Sequence, residues 1–250
     1  MSMPDVSGRS SFAVDGHIVR FYNDEDLVPR RYARLCRFRP NWIYQQILKL
    51  CQPATKTPFY FCIDADCMPM RRISLFDEKN RAALFSCVNQ QDETAFIRCI
   101  AKFSGGELAQ WTTDEYAETR YIADMQLFSR RYTLEMLQRY WHDLDEFQID
   151  AFFNSFWLNI PGIRSRSIFM SEYEMYGRFC MKFHENDVFV KTFTRHQEFK
   201  YTGSQSICPF SQVEISEAEK RAEEANVDFL KLQSNCGHSD VKYASGGGHA

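Results

Sequence analysis

Phe59-Tyr60-Phe61-Cys62-Ile63-Asp64-Ala65-Asp66 decides how this chain is read. Five apolar residues in a row, preceded by Pro58 and closed by two aspartates, predict a short strand buried on both faces. The run is also the longest unbroken apolar stretch, where a spanning helix needs about 20 residues, so no membrane span is expected. Alternation along an extended chain puts Asp64 and Asp66 on one side, where two hard oxygen donors can share a divalent cation, directly or through water. Ligands of open α/β sheets sit beyond the carboxyl ends of strands, which is where this pair falls. The chemistry that suits it is a Mg2+ or Mn2+ bridging nucleotide phosphates and neutralising a diphosphate as it leaves. A solvated strand-end turn is the plainer reading of the same residues.

Around that strand the chain alternates between the two periodicities. Residues 17–22 form a short apolar-rich run that closes in an acidic loop and predict a strand. From Pro40 the spacing turns helical, with Ile43, Ile47 and Leu50 as the buried stripe and Gln45, Gln46 and Lys49 left on a polar flank. Strands are expected at 82–88, 118–122 and 188–193, and helices at 133–141 and 147–158. Ser171-Glu172-Tyr173-Glu174 has the form of a capping box opening another helix. A last helix is expected from Ser216 through Leu232, packed as an appendage. The expected fold is α/β, a single domain over 12–210 with a mostly parallel central sheet flanked by helices, then a C-terminal helix at 211–235 and a flexible tail at 236–250.

Within Ser171-Glu172-Tyr173-Glu174-Met175-Tyr176-Gly177, Glu174 is expected to complete the cap. Glu172 is then left to face a cleft as a catalytic base or as an acceptor for sugar hydroxyls. Asp124 follows the run at 118–122 and is expected either to bind an acceptor hydroxyl or to sit in a strand-end turn. Arg164 and Arg166 are phosphate candidates or ordinary partners of the protein's acids. His184 and His196 flank the strand at 188–193, so either can close a metal site from the C-terminal half.

Charge excludes some partners. Thirty Lys and Arg against 33 Asp and Glu leave a formal charge of −3, so bulk electrostatics provide no drive toward nucleic acid. Nine cysteines without a CxxC pair predict reduced thiols packed as small hydrophobes. The polar start, with no basic and apolar leader, gives a cytoplasmic expectation.

Three separated blocks, Trp42-Ile-Tyr-Gln-Gln-Ile-Leu-Lys-Leu50, Phe61-Cys-Ile-Asp-Ala-Asp66 and Ser171-Glu-Tyr-Glu-Met-Tyr-Gly177, resemble a family of GT-A-type glycosyltransferases, many from bacterial polysaccharide loci. The match runs from about residue 17 to residue 200, and Ile122-Ala-Asp-Met-Gln-Leu-Phe128 is a weaker fourth block, without the histidine that relatives often carry there. The resemblance implies a Rossmann-like GT-A domain acting on a nucleotide-sugar donor and a carbohydrate acceptor. It places Asp64 and Asp66 at a Mn2+ or Mg2+ and the diphosphate; His196, from its position after the strand at 188–193, is the expected third metal ligand. Gln45, Gln46 and Lys49 would face the donor, Asp124 and Tyr173 the sugar or acceptor, and Glu172 would be the base. Only 63 residues precede Asp64. Either His17 to Asp24 supplies the strand and loop that cradle the nucleotide base, or the donor segment is reduced, as in a non-catalytic relative. A phosphatase of the haloacid-dehalogenase type also begins from a strand ending in DxD, but continues differently after the second aspartate.

Overall fold

The computed structural model describes residues 11–14, 17–20, 40–51, 57–87, 100–101, 104–108, 119–140, 171–202 and 210–236. The expected helix at 147–158, together with Arg164 and Arg166, lies outside them. β1 (Ser11–Val14) and β2 (His17–Arg20) pair antiparallel. Pro40, whose fixed φ suits a first helical turn, opens α1 (Pro40–Cys51), which buries Tyr44, Ile47 and Leu50. β3 (Phe59–Ile63) leads into β4 (Cys67–Pro69), and β5 (Ala82–Cys87) follows. β6 (Met125–Ser129) runs directly into α2 (Arg130–Tyr140). α3 (Glu172–Phe183) precedes β7 (Val188–Phe193) and β8 (Arg195–Thr202), and α4 (Gln212–Glu224) precedes β9 (Phe229–Cys236).

The α/β class holds, but the sheets are mixed rather than mostly parallel. β5–β7 and β8–β9 are parallel, whereas β1–β2, β3–β6 and β4–β9 are antiparallel. β3 is half-buried, not enclosed: Tyr60 stacks on Phe128 and Phe61 meets Phe85 edge-on, while Ile63 is 37% exposed. Its partner β6 is buried at every residue. In the middle of β6, Gln126 spans to β5, its Oε1 accepting the Phe85 N–H at 3.1 Å. One side chain thus does between the two sheets what a backbone ladder does within them. The core gathers on these strands from Ile47 and Leu50 of α1, Met136 and Leu137 of α2, and Met175, Tyr176 and Phe179 of α3.

Two further expectations change. Residues 119–124 are irregular instead of forming a strand at 118–122, so Asp124 stands before a strand and not after one. The C-terminal helix starts earlier and stops sooner than expected. Ser211 and Glu214 form its capping box, and it ends at Glu224, so 229–236 is strand β9 between β4 and β8. One face of that three-stranded sheet turns Phe229 onto Phe193 of the main core. The other packs Leu230 under Ala218 and Ala222 of α4. The helix is an appendage to the core, but the strand after it is part of the body. No helix among the described residues is long and apolar enough to cross a membrane.

Candidate functional site

Antiparallel pairing builds the site. Because Ile63 ends β3 opposite Met125, which begins β6, the acid after one strand lies beside the acid before the other. The Asp64 N–H donates to the Asp124 carbonyl at 2.9 Å. Asp64-Ala65-Asp66-Cys67 is then a tight turn, closed by the Cys67 N–H donating to the Asp64 carbonyl at 2.9 Å, and not the extended segment that alternation assumed. β9 pins the turn from outside, the Leu232 N–H donating to the Asp66 carbonyl at 2.8 Å.

Two groups of charges meet there. In the first, Lys49 of α1 reaches Asp64 Oδ1 at 2.6 Å and Glu172 Oε1 at 2.8 Å, with its ammonium 4.1 Å from the Tyr173 ring centre. The Tyr173 hydroxyl donates to the same Asp64 oxygen at 3.2 Å. Burial disfavours the Lys49 charge, but Glu172 and Asp64 outweigh it and raise its pKa. Burial raises the Glu172 carboxyl, with Lys49 opposing, and burial pushes the neighbouring Cys62 thiol up to about 12. A thiol held there is not a nucleophile near neutral pH.

In the second group, Asp124 sits at φ 58°, in the left-handed region that Asp tolerates better than most residues. Lys231 of β9 donates to its Oδ1 at 2.5 Å, and Arg195 of β8 bonds its Oδ2. Burial also works against Lys231, and the acids around it, Asp124 first and then Asp66, raise its pKa all the same. Asp66 lies between the groups. Burial raises its carboxyl, Lys231 opposes, and the nearby charges of Asp64 and Asp124 raise it further.

The third motif block is used almost residue by residue. The Ser171 hydroxyl accepts the Glu174 N–H at 3.2 Å. Glu174 does not close the box: its oxygens take the Tyr121 N–H at 2.7 Å and Arg178 Nε at 2.7 Å, which ties the segment before β6 to α3. The Tyr176 hydroxyl accepts the Ser129 N–H at 2.7 Å. Gly177 lies so close to Tyr121 that a Cβ there would fall 2.2 Å from the ring's Cγ. Gln46 is buried, and its Oε1 accepts the Glu172 N–H at 3.3 Å, one of the N–H groups left open by a helix start.

Asp64, Asp66, Asp124, Glu172, Tyr173, Gln46 and Lys49 are therefore brought together. Gln45 is exposed on α1. His196 is not at the cluster: it stands beside Leu230 on the α4 face of the sheet and contacts Glu198 at 2.8 Å, which also takes Arg221. His184 caps α3 and stacks on Tyr132. Lys231 and Arg195 carried no signal in the sequence. The lysine lies in a stretch that read as helix, and the arginine follows a strand with nothing to mark its partner.

Among the described residues no three His, Cys, Asp or Glu side chains form a ready metal cage. The donor chemistry nevertheless fits a hard cation. Four carboxylates, Asp64, Asp66, Asp124 and Glu172, face three cations, Lys49, Lys231 and Arg195. The excess negative charge falls on Asp66, whose carboxyl burial and two neighbouring carboxylates make costly to ionise.

A mixed α/β protein with a carboxylate and lysine cluster where β3 ends and β6 begins is thus defined. The chain belongs to a family of unknown function, DUF6492, whose model matches residues 17–242, through α4 and β9. No curated protein and no solved structure matches it significantly.

Proposed function

We propose that the protein is a GT-A-type glycosyltransferase that moves a sugar from a nucleotide-sugar donor to a carbohydrate hydroxyl. One observation carries the reading: a strand ends in a DxD turn whose first acid, Asp64, meets Lys49 from α1 and Tyr173 from the start of α3, with Glu172 on the same lysine. These are the three motif blocks of the resemblance, far apart in sequence and adjacent in space.

In this reading Asp66 and the second oxygen of Asp64 would hold a Mg2+ or Mn2+. When bound, the ion neutralises the diphosphate as it leaves. Lys49, fixed by Glu172 and Asp64, supplies a further positive charge on the donor side, and Gln46 holds the start of α3 in place. Tyr173 and Asp124 face the sugar and acceptor. Glu172 is the base. It exchanges Lys49 for the incoming hydroxyl, and burial, by raising its carboxyl, favours proton uptake.

The test is the melting temperature of the protein with Mn2+ and UDP-, GDP-, dTDP- and CMP-sugars. A metal-dependent rise with one nucleotide class is expected, since a ligand at about 100 times its Kd adds roughly 2.7 kcal/mol. Slow metal-dependent cleavage of that donor should accompany it. Folded protein with no shift for any of the four sinks the reading and leaves a non-catalytic relative, and hydrolysis of simple phosphomonoesters in its place points to the DxD phosphatase.

A further inference from the structure

Lys231 and Arg195, the two cations of the second group, have no part in the reaction as proposed above, and their geometry has its own logic. Lys231 and Arg195 come from neighbouring parallel strands and lie on the sheet face opposite α4. Each takes a different oxygen of one carboxylate. Two cations on two oxygens of a single acid is the arrangement that a phosphate group accepts from a lysine and an arginine. Within this group two cations face one carboxylate, and Asp66 is the next negative charge beside Lys231. Lys231 is 8% exposed, and a lysine that far out of water needs a reason beyond solubility. The Asp124 backbone is fixed independently of these contacts, through the Asp64 N–H on its carbonyl. Its side chain can therefore leave the cations without moving the strand. The Arg195 side chain is 22% exposed and that of Asp64 in the DxD turn 23%, so the cluster is not sealed from solvent.

We infer that Lys231 and Arg195 form a binding site for a phosphate-bearing anion, and that Asp124 occupies it as a built-in placeholder until the anion arrives. The inference rests on the transferase reading for the identity of its natural ligand, the diphosphate of the donor, which would bridge this pair and a cation at Asp66. Displacement has a second consequence: Asp124, released from both cations, becomes free to accept hydrogen bonds from a sugar hydroxyl. The site would then engage the sugar only after the diphosphate is seated.

Inorganic pyrophosphate in metal-free buffer is the probe, titrated calorimetrically into the full chain. Wild type should bind it, and sodium chloride at matched ionic strength should not reproduce the heat. Lys231→Met should weaken binding at least about tenfold, and Lys231→Arg should retain it. The decisive sign belongs to Asp124→Asn. Removing the competitor should tighten pyrophosphate binding by about tenfold, or 1.4 kcal/mol. The variant should also melt lower than wild type and be restored by pyrophosphate more than wild type is. A purely structural ion pair yields the lower melting temperature without the tighter binding or the larger rescue, and that result overturns the inference. Asp124→Gly is the second variant, because it removes the carboxylate while suiting the left-handed backbone, so a failure of the asparagine variant to fold does not end the test. The two readings fail separately. Pyrophosphate binding that tightens in Asp124→Asn, with no nucleotide-sugar response, keeps the anion site and sinks the transferase. A metal-dependent donor response without that tightening does the reverse.

Discussion

Lys49 and Glu172 show how much a single contact can carry. Glu172 is 3% exposed, and its carboxylate meets Lys49 Nζ. Removing one partner of a buried pair strands the other and typically costs about 3–5 kcal/mol, much more than an exposed pair is worth. Lys49→Met should therefore destabilise the fold by that order, Glu172→Gln by less, and the double variant by clearly less than the sum, as urea unfolding of all four proteins would measure. Additive losses would mean that the two side chains are independent. Gly177 makes a different residue-scale point. A methyl there would overlap the Tyr121 ring, so Gly177→Ala should cost about 1–3 kcal/mol and lower the melting temperature by several degrees. The types and spacing in Ser171-Glu-Tyr-Glu-Met-Tyr-Gly177 were legible as a helix start with free acids. Which acid went where was not. Glu174 left the cap for Tyr121 and Arg178, partners 53 and 4 residues away, and no local rule names the first of them.

At the scale of elements, α1, α3, β5 and β7 were legible because their signals are local: Pro40 in a first turn, Ser171 as an N-cap, and short apolar-rich runs for the two strands. The end of α4 was misread for a reason that is also local. Ala218, Ala222, Ala225 and Phe229 keep helical spacing past the true stop. The stop lies at Asn226, which takes φ 55° while its N–H donates to the Glu223 carbonyl at 2.9 Å and the Val227 N–H to the Ala222 carbonyl at 3.2 Å. That is a Schellman ending with asparagine in the place glycine usually fills, and Arg71 bonds the asparagine side chain as well. Asn226→Ala should cost about 1–2 kcal/mol because alanine pays in full for the left-handed backbone. Asn226→Gly should stay close to wild type. Chemical denaturation of the two variants separates them, and equal losses would mean that the Arg71 contact, not the backbone, sets the cost. The misreading also hid Lys231, since a residue assigned to a helix cannot be placed on a strand face.

For the molecule as a whole, strand and helix alternation indicated the α/β class but not which strands pair. Partner choice is decided by contacts between distant segments, and here the antiparallel match of β3 with β6 sets Asp64 beside Asp124. The price of that convergence is crowded negative charge, and stability should record it as a dependence on pH. The Asp66 carboxyl is raised in the folded protein above its ordinary 3.8, by burial first and then by Asp64 and Asp124 against the pull of Lys231. Below about pH 3.8 it is protonated in both states and costs nothing. As pH rises from there toward the folded value, the unfolded chain ionises first and stability is lost, and the penalty is complete once pH has passed the folded value. Glu107, held low by its hydrogen bond from Arg139, has the opposite sign and contributes as pH rises, and it does so equally in any Asp66 variant. The difference between Asp66→Asn and wild type therefore isolates the site. In metal-free buffer Asp66→Asn should melt higher than wild type at pH 7, the gain should shrink toward zero near pH 3.5, and Mn2+ should stabilise wild type at pH 7 but not the variant. An Asp66→Asn protein that melts lower at both pH values would show that the carboxylate is a structural anchor of the turn, and the cation would have to be sought elsewhere.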